Sequence, residues 1–322
     1  MIFVKKNHIE AKSQIQASIG TEAWFTLKAI KGGSCVRRRS FRATDPFKNL
    51  ITNNGLNSMF TETAGNTYRS CIVGTGTTPP SVTDNALASF LAAVASNPTS
   101  QSESTGLAPD YISSRSLTWL SNVGALGNNN LTEIAVSGST GSNTNLFSRT
   151  LIQDSMGNPT AFPISSDEQL EVTYELRLVP PLVDSMHQIQ IGSVTHDVVV
   201  RALGVTSTVW QPAATSGSNR NFAISNAAGA TSIFDGQLGA ITANQPQGAA
   251  ALSTSRGDYS YSAGSFELES WVSWGTGAAN RDNVTARVGY GCCAFQMEYS
   301  PPISKTDEQT LRLEFKISAS RV

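Results

Sequence analysis

The sequence predicts an all-β protein: two tandem, duplicated β-sandwich domains with one or two short helices. Three observations carry this. Leu170, Val172, Tyr174, Leu176 and Leu178 alternate with Glu171, Thr173, Glu175 and Arg177, the period-two pattern of a strand with one dry face and one wet face. Leu311, Leu313, Phe315 and Ile317 alternate in the same way with Arg312, Glu314 and Lys316. Both strands follow an Asp-Glu-Gln triplet, at Asp167 and at Asp307, and phrases upstream of the triplets also recur in order.

The repeat sets the expected boundaries. Arg69-Ser-Cys-Ile-Val aligns with Arg220-Asn-Phe-Ala-Ile, and Asp84-x-x-Leu87 with Asp235-x-x-Leu238, both at an offset of 151. Leu117-Thr-Trp-Leu-Ser aligns with Phe266-Glu-Leu-Glu-Ser at 149, Phe147 with Phe295 at 148, and the triplets at 140. The offset falls where the first copy has QDSMGNPTAF and the second only SPP, a turn-rich connection that tolerates a change of length. Phe25 to Ile30 and Ile189 to Val194 are a fainter pair. The expected organisation is a basic amino-terminal arm over 1–16, one sandwich over 17–181 and a diverged copy over 182–322. Pro180-Pro181 is the joint, since proline cannot extend a ladder. Each half is long enough to bury its own core.

Along the first half, Leu50 to Phe60 and Thr83 to Val94 are the two helical candidates, the second capped by Asp84 ahead of ALASFLAAV. Cys71 to Val73 is an apolar strand, and VGTGTTPP after it is a turn: it lacks the lysine that a phosphate loop needs. Short strands between polar turns account for the remainder. In each triplet the aspartate is expected to bond nearby backbone N–H groups of the turn.

Charge is uneven although the net is only −1. The first 48 residues hold ten Lys or Arg, including Lys5, Lys6, Arg37, Arg38 and Arg39, against three acids. A basic arm and an acidic body on identical subunits attract each other, so these five residues are candidate contacts in a homo-oligomer, or else a solvated strand face. Nucleic acid is not expected as a partner, because no aromatic interleaving or recognition module accompanies the basic residues. No apolar run reaches the length of a membrane span, and the start lacks the apolar core of a secretory signal. Assembly in a cytoplasm fits Cys35, Cys71 and the adjacent Cys292-Cys293, which make a poor disulfide framework.

Catalytic and cofactor residues are assigned to none. His196 beside Asp197 lies on a predicted strand where neighbours face opposite ways, and no nucleophile elbow accompanies it. CxxC, HExxH and EF-hand patterns are absent from the sequence, so no metal or cofactor is expected. Glu267 and Glu269 share a strand face and have the residue type of a glycosidase pair, and Trp271 and Trp274 are candidates to flank a sugar or to pack a strand end. Arg256-Gly257-Asp258 matches an adhesion tripeptide on three common residues.

The ordered phrases FKNLITNNGLNSM, CIVGTGTTPPSVTDNALASFLA, LTEIAVSG and LFSRTLIQDSMGNPTAFPISSDEQLEVTYELRLVPP carry a resemblance over about residues 20–181. They resemble a family of tailed-bacteriophage virion proteins encoded among tail and head-to-tail genes. The resemblance implies a structural, non-enzymatic virion protein: a collar, fibre-base or baseplate-associated subunit, oligomeric and docked to other virion proteins. A head decoration or fibre protein, or a receptor-binding protein for a host glycan, is the alternative placement. The second half keeps only RNFAIS, FDGQLGAITANQP and DEQTLRLEFKI, which opens a different partner to it.

Overall fold

The computed structural model describes residues 7–11, 13–31, 40–61, 69–207, 209–210, 212, 224, 231–256 and 260–322. The fold is all-β, with one helix among the described residues. In chain order the first half contains β1 (Asn7–Glu10), β2 (Ile15–Lys31), β3 (Ser40–Ala43), β4 (Phe47–Ile51), α1 (Asn53–Phe60), β5 (Ser70–Gly74), β6 (Phe90–Ala95), β7 (Ser100–Ser104) and β8 (Ser113–Leu120). It continues with β9 (Asn129–Leu131), β10 (Glu133–Ser137), β11 (Leu146–Leu151), β12 (Phe162–Ile164) and β13 (Glu168–Val179). The second half contains β14 (Ser185–Ile191), β15 (Val194–Ala202), β16 (Ser232–Phe234), β17 (Ala250–Leu252), β18 (Ser255–Arg256), β19 (Ser260–Tyr261), β20 (Glu267–Trp274), β21 (Asp282–Tyr290), β22 (Cys293–Ser304) and β23 (Gln309–Arg321).

In the first half the strand order runs β7-β8-β13-β2-β4-β11-β10-β5-β6; in the second, β20-β23 join that sheet through β2, and β14-β15-β22-β21-β16-β17 form a separate six-stranded sheet. By order of pairing, β8 is comparable with β20, β13 with β23, β4 with β15, β11 with β22, β10 with β21, β5 with β16 and β6 with β17. The rows differ in face: Ile72, Ala135 and Arg149 lie in one row on the side of the small Leu87–Leu146 cluster, whereas Ile233, Ala286 and Met297 lie in one row that faces the main core, as Cys71, Val73, Ile134 and Val136 do in the first half. Phe147 and Phe295 are both buried in the main core.

Three sequence alignments are corrected. The counterpart of Ser70–Gly74 is the strand at Ser232–Phe234; of the segment aligned earlier, 220–223 lie outside the described residues and only Ile224 is placed, buried. Trp119 matches Val272 rather than Leu268, because Trp119 sits opposite Val172 and Val272 opposite Leu313. The Asp-Glu-Gln identity is one residue out of structural register. The Glu168 amide bonds the Ser165 carbonyl and the Gln309 amide that of Thr306, an offset of 141. The turn's side-chain acceptor is correspondingly Glu168, or Gln309, and not an aspartate: Glu168 Oε2 accepts the Ser165 N–H at 2.8 Å and Gln309 Oε1 the Thr306 N–H at 2.9 Å. From these turns β13 buries Leu170, Val172, Tyr174, Leu176 and Leu178, and β23 buries Leu311, Leu313, Phe315, Ile317 and Ala319. Each large side chain contributes about 1.5–3 kcal/mol on leaving water.

Of the expected helices one forms. Thr52 caps α1, its hydroxyl accepting the Gly55 N–H at 2.9 Å, and Leu56, Met59 and Phe60 fill one buried face. Thr83 to Val94 does not coil: it forms turns and then β6. The amides a helix would need are taken by tertiary acceptors, Leu87 by Asn143 Oδ1 and Ala88 and Ser89 by Glu133.

The expected arm boundary after residue 16 falls inside β2, and that strand joins the halves. Gly20–Lys31 pairs antiparallel with β13, whereas Ile15–Thr21 pairs parallel with Phe315–Arg321 of β23. β1 adds to the same ladder, parallel with Gln309–Arg312. Gly20 lies where both partners reach the strand, and a Cβ there would stand 2.8 Å from Val322 Cγ1 and 3.1 Å from Val179 Cβ. Further bonds cross the joint: Arg321 Nη2 donates to Asn53 Oδ1 at 2.7 Å, the Gly264 N–H to Asn57 Oδ1 at 2.7 Å, and Phe60 stacks on Tyr261 at 5.1 Å. One hydrophobic cluster consequently runs through both halves.

Candidate functional site

The most concentrated chemistry in the described residues is a buried ionic cluster in the first half. β10 carries Glu133 and β11 carries Arg149, with side chains 0% and 3% exposed. Arg149 Nε and Nη2 donate to Glu133 Oε2 at 3.1 and 2.9 Å, Nη1 donates to Asp84 Oδ2, and Nη2 also bonds the Thr78 carbonyl at 2.8 Å. Glu133 further accepts three backbone N–H groups: Gly76 at 3.1 Å, Ser89 at 2.7 Å and Ala88 at 3.0 Å. Every lone pair of the carboxylate is thereby directed at a donor, the condition under which a charge is held away from water.

This arrangement explains VGTGTTPP. The glycine-rich turn cradles an anion, and the anion is the protein's own carboxylate: a Cβ at Gly74 or Gly76 would lie 2.6 or 2.4 Å from Glu133 Oε1. The cluster fastens the 75–89 loop onto the sheet. In the second half Met297, Ala286 and Ile233 face the main core, and the opposite face of β22 carries Gln296 and Glu298. There the loop after β16 is held by Gln296, whose Oε1 accepts the Gly239 N–H at 2.8 Å and whose Nε2 donates to the Gly239 carbonyl at 2.9 Å, and by Glu298, which accepts the Leu238 N–H at 3.0 Å.

The sequence-predicted residues distribute as follows. Lys5, Lys6, Arg37, Arg38, Arg39 and Cys35 lie outside the described residues, as do Gly257 and Asp258 of the adhesion tripeptide. Trp271 and Trp274, three apart on β20, point to opposite faces. Trp274 is buried and its indole N–H bonds the Ala251 carbonyl at 3.1 Å, so it packs the interior. Trp271 lies on the outer face with the Arg312 guanidinium 4.4 Å from its ring centroid, and Arg312 is anchored to Glu314 at 3.0 Å. The first half has an analogous stack, Arg177 over Trp24 at 5.0 Å with Glu175 at 2.8 Å. Each outward indole is already covered by a cation of its own chain.

Glu267 and Glu269 both reach Lys316, at 3.0 and 3.6 Å, and the hydrogen bond that the ammonium donates to Glu267 holds it above its ordinary range. His196 is buried, its Nδ1 2.6 Å from the Pro301 carbonyl oxygen. His187 bonds Ser185 at 3.2 Å and His8 bonds Thr310 at 2.7 Å, each on a separate strand pair. Among the described residues no group of three or more His, Cys, Asp and Glu is placed to hold a metal. Cys71, Cys292 and Cys293 are free and buried, and burial pushes the Cys71 and Cys293 thiols up. A thiol reagent at neutral pH is therefore expected to leave these three unmodified in the native protein and to label all three in denaturant, as read by peptide mass mapping.

Glu133 and Arg149 are what sequence reasoning missed. The signal was an acid inside the apolar phrase LTEIAVSG and a base inside LFSRTL, since a charge in a buried strand requires a partner. No family model, curated protein or solved structure matches this chain.

Proposed function

We propose that the chain is a structural subunit of a tailed-bacteriophage virion, a tail-associated collar, fibre-base or baseplate protein that acts as an oligomer and docks to other virion proteins. One observation carries this reading. The phrases that resemble the phage family converge in space on the Glu133 cluster: Gly76 comes from CIVGTGTTPP, Asp84, Ala88 and Ser89 from SVTDNALASF, Glu133 from LTEIAVSG and Arg149 from LFSRTL. They are parts of one packing solution rather than scattered likenesses. The ionisable side chains of that cluster are directed at one another and at backbone amides, which suits a scaffold. For the receptor-binding alternative, through loops or through Trp271 and Trp274, the tryptophans give no support: Trp274 is interior and Trp271 is covered by Arg312.

Density-gradient purification of phage particles from the source genome's lysate tests the proposal. The chain is expected to co-purify with intact particles in several copies each, and a bound antibody is expected to decorate the tail in electron micrographs. Particles devoid of the chain would overturn the structural reading. Label confined to the head would move it to the decoration placement.

A further inference from the structure

A cavity of about 420 Å³ opens at the seam between the two halves. β2, β4 and β11 of the first half wall it, and Pro80 comes from the loop that Glu133 fastens. The second half contributes Arg321, the last residue of β23, and Val322. The cavity therefore exists only while β23 is held against β2.

Charge among its side chains is unbalanced. Arg321 donates Nε to the Ile51 carbonyl at 2.5 Å and Nη2 to Asn53 Oδ1 at 2.7 Å, both neutral acceptors, and no carboxylate among the described residues pairs with it. Burial holds its guanidinium below the ordinary range, with no acid to offset the loss of water. Lys48 stands 3.7 Å from Glu22, beyond hydrogen-bond reach, and Glu22 is shared, since Arg177 Nη1 donates to its Oε1 at 3.2 Å. Two cationic side chains thus line the cavity against one acid that is already bonded to a third cation.

The shape of the remaining donors selects the ligand. With Nε and Nη2 of Arg321 taken, the two-pronged grip that suits phosphate is partly used, and Nη1 is left without an acceptor among the described residues. Glu22 repels a doubly charged group more than a singly charged one. Leu50, Ile51, Pro80 and Val322 add apolar wall beside the charges.

We propose that this cavity binds a singly charged carboxylate on a short aliphatic stem, with its oxygens toward Arg321 and Lys48 and its stem against the apolar wall. The site does not depend on the virion reading. Titration of the isotope-labelled full chain at neutral pH, followed by the amide NMR signals of Asn49 and Leu50, tests it with three probes: butyrate, its neutral isostere butyramide, and glutamate capped at both ends. Butyrate is expected to give saturable shifts and butyramide none. Binding of butyrate alone supports a site for a small free acid, and binding of capped glutamate as well supports one that admits a protein side chain. Arg321→Gln is expected to weaken butyrate at least about tenfold and Lys48→Gln about threefold. Lys48 is exposed, so its variant is expected to fold as wild type and decides the matter should Arg321→Gln unfold. No saturable shift with either acid, equal shifts with butyramide, or butyrate binding unchanged in the folded variants would overturn the proposal.

Discussion

Glu133→Gln is expected to lower unfolding free energy by about 3–5 kcal/mol, the usual cost of removing one member of a buried ion pair. The substitution keeps shape but exchanges an acceptor-only carboxylate for an amide with two donors, which then faces the N–H groups of Gly76, Ala88 and Ser89 and the guanidinium of Arg149. Chemical denaturation followed by tryptophan fluorescence reads the shift in midpoint. A double variant, Glu133→Val with Arg149→Met, removes both charges together. It is expected to cost less than the sum of its single changes, because neither charge is left unpaired. Strict additivity would mean that the two side chains do not act as a unit.

Phe25→Ala in β2 and Phe315→Ala in β23 are each expected to cost about 3–5 kcal/mol, the range for emptying a buried phenylalanine site. Both rings are fully buried, Phe25 5.1 Å from Tyr174 and 6.1 Å from Phe47, and both belong to the cluster that spans the halves. The two changes lie in different sandwiches but on strands tied through the same ladder, so both are expected to lower one shared transition. Calorimetry that instead shows two peaks, with each variant moving only its own, would separate the halves energetically.

Local pattern made much of the fold legible. The alternation in β13 and β23 fixed which side chains point inward. Identity misled where structure and letters part company. The Asp-Glu-Gln triplets match by eye at 140, yet the inward phase requires 141, since Leu170 and Leu311 are the first buried apolar residues of their strands. The helix expected over Thr83 to Val94 was a sound local reading overridden by distant acceptors, Glu133 and Asn143. Glu133 itself was legible only as a charge out of place. The parallel pairing of Ile15–Thr21 with Phe315–Arg321 joins opposite ends of the sequence, and no periodicity within either segment encodes it.

That pairing is the centre of the account: one strand of the first half completes the sheet of the second and makes the two sandwiches a single cooperative body. Native-state hydrogen exchange measures it directly. The expected result is that the paired amides of Ile15–Thr21, β13 and β23 exchange only through global opening, with one shared free energy that Phe315→Ala lowers equally in all three. Rapid exchange over Ile15–Thr21 beside a fully protected β13 and β23, or a Phe315→Ala effect confined to β23, would contradict it.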